Sequence, residues 1–232
     1  MKRKILPTIT TITPSAWRSK IAEAKKLGLK EVAVFPTCLK LAERKEFYKL
    51  LKESGIEKIP FVHLRSDMEL WELDYLIQEW GTEVFNTHTQ REFSIPADWQ
   101  KHKGLIYIEN TYEPFDEEEV KRFAGVCLDF SHLENARQFY PDVYRHNVEI
   151  IEKYPCGCNH VGPARNFPFL DKATLKPDYR HPHSSHLLKD VSELDYLKNY
   201  PKNYFSPFLA VEIENDLATQ LKAGDYVTRM LK

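Results

Sequence analysis

Val126-Cys-Leu-Asp129-Phe-Ser-His132, with Leu105-Ile-Tyr-Ile-Glu109-Asn110 before it and Cys158-Asn-His160-Val-Gly162 after it, decides how this chain is read. Each piece is a short apolar run that ends in one carboxylate or imidazole. Successive side chains of a strand face opposite sides. Cys127 and Asp129 therefore share one face, against Val126, Leu128 and Phe130. Leu105, Tyr107 and Glu109 oppose Ile106 and Ile108, and Phe208, Ala210 and Glu212 oppose Leu209, Val211 and Ile213. The more aliphatic set suits a face covered by helices. The other set carries its ionisable group at the C-terminal end.

Outward from these runs, strands alternate with helices. Strands are expected at Ile5–Ile12, Glu31–Phe35, Pro60–Leu64, Glu83–Thr87, Leu105–Glu109, Val126–Phe130, Gly157–Val161 and Phe208–Ile213. Helices are expected at Trp17–Leu27, Ala42–Glu53, Glu69–Trp80, Glu117–Phe123, Val143–Lys153, Val191–Asn199 and Leu217–Met230. Gly28, Gly55, Gly81 and Gly125 follow helical patterns, where a left-handed residue ends a helix at least cost. The fourth crossover, Gln90–Lys103, contains Pro96 and has room for one short helix. Eight strands alternating with helices predict a parallel sheet. An open nucleotide-binding sheet is disfavoured, because Thr10–Pro14 after the first strand contains no glycine. The expectation is an α/β fold, a single lean (β/α)8 TIM barrel spanning residues 1–232, with a weak fourth helix. The proline-punctuated segment Gly162–Lys189 forms a long loop after strand seven.

The composition restricts the function classes. In 232 residues there are 33 Lys plus Arg against 34 Asp plus Glu, giving a net charge of −1. Bulk electrostatics cannot drive nucleic-acid binding in such a chain. The mean hydropathy is −0.51. No apolar run approaches the roughly 20 residues of a membrane helix, and the start MKRKILPTITTITP lacks the apolar stretch of a signal peptide. A cytoplasmic protein with no membrane partner is expected. Cys38, Cys127, Cys156 and Cys158 form no secreted disulfide framework. Cys156, Cys158 and His160 raise a zinc site, but with no matching pair elsewhere the two cysteines read as small buried strand residues pointing the same way.

Function is concentrated at the strand ends. Strand three ends in His63-Leu-Arg65, strand four in Thr-His88, strand five in Glu109-Asn110, strand six in Asp129-Phe-Ser-His132, strand seven in His160 and strand eight in Glu212-Ile-Glu214. Barrels build their active sites at that end. Clustered carboxylates need shared protons or cations, and carboxylates mixed with imidazoles suit zinc, manganese, iron or cobalt more than calcium. The loop adds Asp178-Tyr-Arg180-His181-Pro-His183-Ser-Ser-His186, whose histidines could converge on an ion or simply be solvated. His102 and His146 are assigned no role.

The order of these groups resembles the xylose isomerase-like barrel superfamily, which includes sugar isomerases and epimerases and endonuclease IV-type enzymes. Asp129-Phe-Ser-His132 is similar to its D-x-x-H motif on strand six, and Glu109-Asn110 and Glu212 fit strands five and eight. The isomerase branch implies one divalent metal, of manganese, zinc, cobalt or magnesium, on Glu109, Asp129, His160 and Glu212. It further implies that His132 and Arg165 contact substrate. The endonuclease branch implies additional metals on His63, His88 and a D-x-H after strand seven. The strict D-R-H is absent here, so His181-Pro-His183 or Asp178-Tyr-Arg180-His181 would substitute.

The leading expectation is a metal-dependent isomerase or epimerase of a small sugar-like substrate, with Glu109 and Glu212 as the paired proton-transfer groups. The alternative is metal-assisted cleavage of abasic DNA, drawing on His63, His88 and His183. Arg18, Arg65, Arg91, Lys101, Lys103, Arg137 and Arg165 could supply a local patch, but Thr37-Cys38-Leu39 offers no pair of wedge residues. A second alternative is a barrel that binds metal without catalysis. The aromatic stretch Tyr196–Phe208 is open to three readings, a subunit contact, core packing or a lid.

Overall fold

The computed structural model describes residues 3–10, 16–164 and 186–232. Eight parallel strands follow one another around a closed barrel. They are β1 (Lys4–Thr10), β2 (Glu31–Phe35), β3 (Lys58–His63), β4 (Val84–Thr87), β5 (Ile106–Glu109), β6 (Gly125–Asp129), β7 (Cys156–Val161) and β8 (Phe208–Val211). Closure runs from the pair Lys4↔Phe208 to Pro7↔Val211. Helices α1 (Trp17–Leu27), α2 (Leu41–Ser54), α3 (Leu70–Trp80), α4 (Glu117–Arg122), α5 (Phe130–Phe139), α6 (Pro141–Lys153) and α7 (Leu217–Met230) lie between them. The expected (β/α)8 barrel is the architecture found. Its fourth crossover is a 3-10 segment, Ala97–Leu105, kinked at His102 and anchored by Trp99, whose Nε1 donates to Met68 O at 3.1 Å.

The alternation of faces holds. Tyr107, Cys127, Phe208 and Ala210 pack inside the barrel with Phe35 and Phe61. Ile106, Ile108, Val126, Leu128, Leu209, Val211 and Ile213 pack outside, against the helices. Leu105 is an exception, because it belongs to the 3-10 segment and packs outside. Within the aromatic stretch Tyr200, Tyr204 and Phe205 are buried core residues, and Phe205 stacks on Phe130 at 4.4 Å.

Three expectations need correction. Strand six ends at Asp129, and α5 begins at the next residue with Phe130, Leu133 and Ala136 buried at helical spacing. Gly125 ends no helix. It opens β6 at φ +138°, where a Cβ would lie 2.1 Å from Pro155 O. Cys156 and Cys158 face opposite ways, because β7 pairs Val126 with Cys156 and then Cys127 with Cys158. The extra residue is Gly157, and the Tyr107 ring fills its side: a Cβ there would meet Tyr107 Cζ at 2.0 Å. Cys156 thus joins the outer packing and Cys158 the inner, which excludes a Cys156–Cys158 chelate. Among the described residues no helix is long and apolar enough to cross a membrane.

Candidate functional site

The C-terminal ends of β3 to β8 converge on Glu109, which is only 2% exposed. His63 Nε2 is 3.1 Å and His88 Nε2 3.8 Å from Glu109 Oε2, and Asn86 of β4 donates to the same oxygen. Glu109 Oε1 lies 3.4 Å from His160 Nδ1 and 4.0 Å from His132 Nδ1. His160 Nδ1 in turn lies 3.0 Å from Glu212 Oε2 and 3.8 Å from Asp129 Oδ2. His186, at the rim, reaches to 3.9 Å from Glu212 Oε1. The barrel therefore brings Glu109, Asp129, His160, Glu212, His63, His88, His132 and His186 together. His181, His183 and Arg165 lie outside the described residues.

Local chemistry explains how each group is aimed. Asp129 caps α5: its Oδ1 accepts from His132 N at 2.9 Å and Ser131 Oγ at 2.7 Å, while Oδ2 faces the centre. A capping aspartate at a strand end thus turns one oxygen to the helix and the other to the site. Asn110 clamps β5 to β6, accepting from Asp129 N and donating to Asp129 O. His63 Nδ1 donates to Leu64 O at 2.9 Å and His132 Nδ1 to Asn110 O at 3.0 Å. A carbonyl only accepts, so these contacts put a proton on Nδ1 of each ring and turn its Nε2 edge away from that carbonyl. His88 Nδ1 lies 2.7 Å from Glu92 Oε2. Sequence reasoning missed Glu92, whose only signal is a carboxylate four residues beyond a histidine.

The electrostatics follow from this crowding. Burial alone would raise the Glu109 carboxyl, but the imidazoles of His160, His88 and His63 outweigh it and hold it well below the usual range. Burial opposes ionisation of Glu212 too, yet His160 and His186 pull it down to about 2. Conversely, burial disfavours a charged His160, but Glu109, Cys127 and Glu212 push its pKa well up. Burial wins at His63, whose pKa is lowered. The site is a sink for positive charge.

A divalent cation fits this donor set. Among the described residues, four triads have donor atoms within 4.8 Å of one another: His63/His88/Glu109, Glu109/Cys127/His160, Glu109/Asp129/His132 and Asp129/His160/Glu212. His160 is fully buried, and neither ring nitrogen has an aligned hydrogen-bond partner. Buried polar atoms without partners are rare and costly, and a cation would relieve this one. Of the seven residues that could form a basic patch, four are ion-paired: Arg18 with Glu46, Arg65 with Asp67, Lys101 with Asp74 and Arg137 with Glu134.

No protein-family model matches the sequence, and no curated protein is similar to it. Solved structures match over nearly its whole length. A candidate xylose isomerase from Rhodospirillum rubrum superimposes with a TM-score of 0.51 at 12% identity, covering 98% of this chain and 99% of that one. What the two share is the (β/α)8 barrel fold. A xylose isomerase domain protein from Alicyclobacillus acidocaldarius gives 0.50 at 11% identity, covering 98% of each chain. A xylose isomerase-like TIM barrel protein from Mycobacterium smegmatis in complex with magnesium gives 0.47 at 12% identity, over 93% of this chain and 88% of that one. At such identities the likeness is one of fold.

Proposed function

We propose that this barrel is a divalent-metal-dependent isomerase or epimerase acting on a sugar or small hydroxy-ketone. One observation carries the reading: Glu109 and Glu212 approach the same His160 Nδ1, at 3.4 and 3.0 Å, and both are held as anions in a buried site. Glu109, Asp129, His160 and Glu212 would hold the metal. When bound there, it supplies Lewis acidity to the substrate's carbonyl and neighbouring hydroxyl oxygens. An ionised carboxylate can then take a proton from the carbon beside that carbonyl onto a carboxylate oxygen. Returning it to the former carbonyl carbon, while the hydroxyl proton passes from its oxygen to the former carbonyl oxygen, isomerises the substrate. Delivery of a proton to the opposite face of the original carbon by the second glutamate epimerises it. Such acid–base work contributes about 10²–10⁴-fold. His132 and Arg165 would hold substrate oxygens. The test is solvent deuterium uptake at carbon across a ketose panel, with added manganese, cobalt, magnesium or zinc. Exchange that disappears in Glu109→Gln and Glu212→Gln supports the reading, and exchange that persists in both contradicts it.

A second reading, cleavage of abasic DNA in the manner of endonuclease IV, is favoured by the His63/His88/Glu109 triad. It shares Glu109 with two of the other three ligand groups, so a second ion could lie close to the first. The ion-paired state of Arg18, Arg65, Lys101 and Arg137 weighs against a DNA-binding rim and keeps this reading second. Nicking of an abasic duplex with zinc, without any ketose exchange, would reverse the order. Bound metal without either activity would favour a non-catalytic barrel.

A further inference from the structure

Beneath the carboxylates of the site, β6 turns Cys127 into the barrel, in register with Glu109 on β5 and with Cys158 on β7. Its Sγ, a carboxylate oxygen of Glu109 and a ring nitrogen of His160 all lie within 4.8 Å of one another. Donors around a tetrahedral ion at about 2.0–2.3 Å lie about 3.3–3.8 Å apart, so these three need to close by no more than about 1 to 1.5 Å to share one. His160 points to a ligand independently, because it is completely buried and neither ring nitrogen has an aligned hydrogen-bond partner. A buried small residue at position 127 needs only to fill space. A thiol facing a buried imidazole and a buried carboxylate can do more.

We propose that Cys127 is a thiolate ligand of the metal in this barrel and biases the centre toward soft or borderline cations such as zinc and cobalt(II), away from magnesium. The inference rests on the reading that the site holds a divalent metal. One sulfur, one imidazole and one carboxylate form a donor set of the kind zinc accepts, whereas magnesium favours oxygen ligands and retains its waters. On binding, the sulfur–metal bond replaces the S–H bond and the thiol proton leaves to solvent. Asp129 and Glu212 would complete the ligand set beside His160.

The experiment is a titration of cobalt(II) chloride into the full chain in a Cys38→Ser background, because Cys38 is exposed and would give its own signal. A sulfur-to-cobalt charge-transfer band in the near ultraviolet, growing with the visible cobalt bands to one equivalent, is expected. Cys127→Ser should remove that band while the visible bands persist. Cys158→Ser, altering the in-register neighbour, should retain it. Visible cobalt bands without charge transfer would overturn the role of Cys127 and leave the metal reading standing. A charge-transfer band that survives Cys127→Ser would overturn the assignment as well. If no cobalt binds at all, the metal reading falls and this inference falls with it.

Discussion

His63 Nε2 lies 3.1 Å from Glu109 Oε2, although β4 separates the strands that carry them. The contact spans two strands because both side chains point to the barrel axis, and because Leu64 O holds the His63 ring by its Nδ1. Glu109 belongs to three of the four donor triads among the described residues. Glu109→Gln preserves shape while removing the charge. Expected outcomes are loss of bound metal and a fall of at least about 10²-fold in proton exchange, read by metal analysis and by deuterium uptake. Full retention of both would contradict the central place given to Glu109.

Glu92 Oε2 lies 2.7 Å from His88 Nδ1, and Nε2 of the same ring is 3.8 Å from Glu109 Oε2, so a positioning role for Glu92 is expected. Carboxylates behind a metal-binding histidine typically contribute 10–100-fold in affinity. Glu92→Gln should weaken zinc binding at the His63/His88/Glu109 triad by roughly that factor, seen by calorimetry as loss of one binding phase. An unchanged titration would show that His88 needs no such support.

Gly157 leaves room for a ring. Since a Cβ there would lie 2.0 Å from Tyr107 Cζ, Gly157→Ala must displace Tyr107 or β7. Overpacking of this kind costs roughly 1–3 kcal/mol, measurable by urea denaturation. Shortening the ring with Tyr107→Leu should make the alanine cheaper than it is in the parent, a non-additivity expected of neighbours. Strict additivity would argue that the two do not touch.

Lys20 supplies a pH signature. Its Nζ donates to Ile213 O at 3.3 Å and Asn215 O at 2.9 Å, just beyond Glu212. Burial, partly opposed by Glu214, Glu23 and Asp216, lowers its pKa from 10.5 to about 8. The folded protein therefore loses this proton before the unfolded chain does. The cost of burying the charge is fully present below the folded pKa, and stability rises between about 8 and 10.5. Lys20→Met keeps the stem and should flatten that rise in denaturation curves across the same window. An identical slope in both proteins would refute the assignment.

Strand alternation placed Glu109, Asp129 and Glu212 on the interior, because each sits on a short run whose two faces differ in composition. The same rule failed at Cys156, where the bulge at Gly157 reverses the face without altering the apolar pattern. Helix α5 escaped notice because Asp129 is both the last residue of β6 and the cap of the helix, with no loop residue between. Ion pairing of the basic residues was also illegible: Arg18 finds Glu46 across 28 positions, one helix against the next. No local spacing carries that pair, whereas Glu134 and Arg137, three apart on one helix, could be read from the sequence.

Metal content per chain is the most direct test, measured by plasma mass spectrometry on untagged protein purified without chelator. At least one divalent ion per chain is expected, absent from Glu109→Gln, with two zinc ions per chain moving the phosphodiesterase reading forward. A wild-type protein that carries no metal, and takes up none when zinc, cobalt, manganese or magnesium is added, would contradict the account.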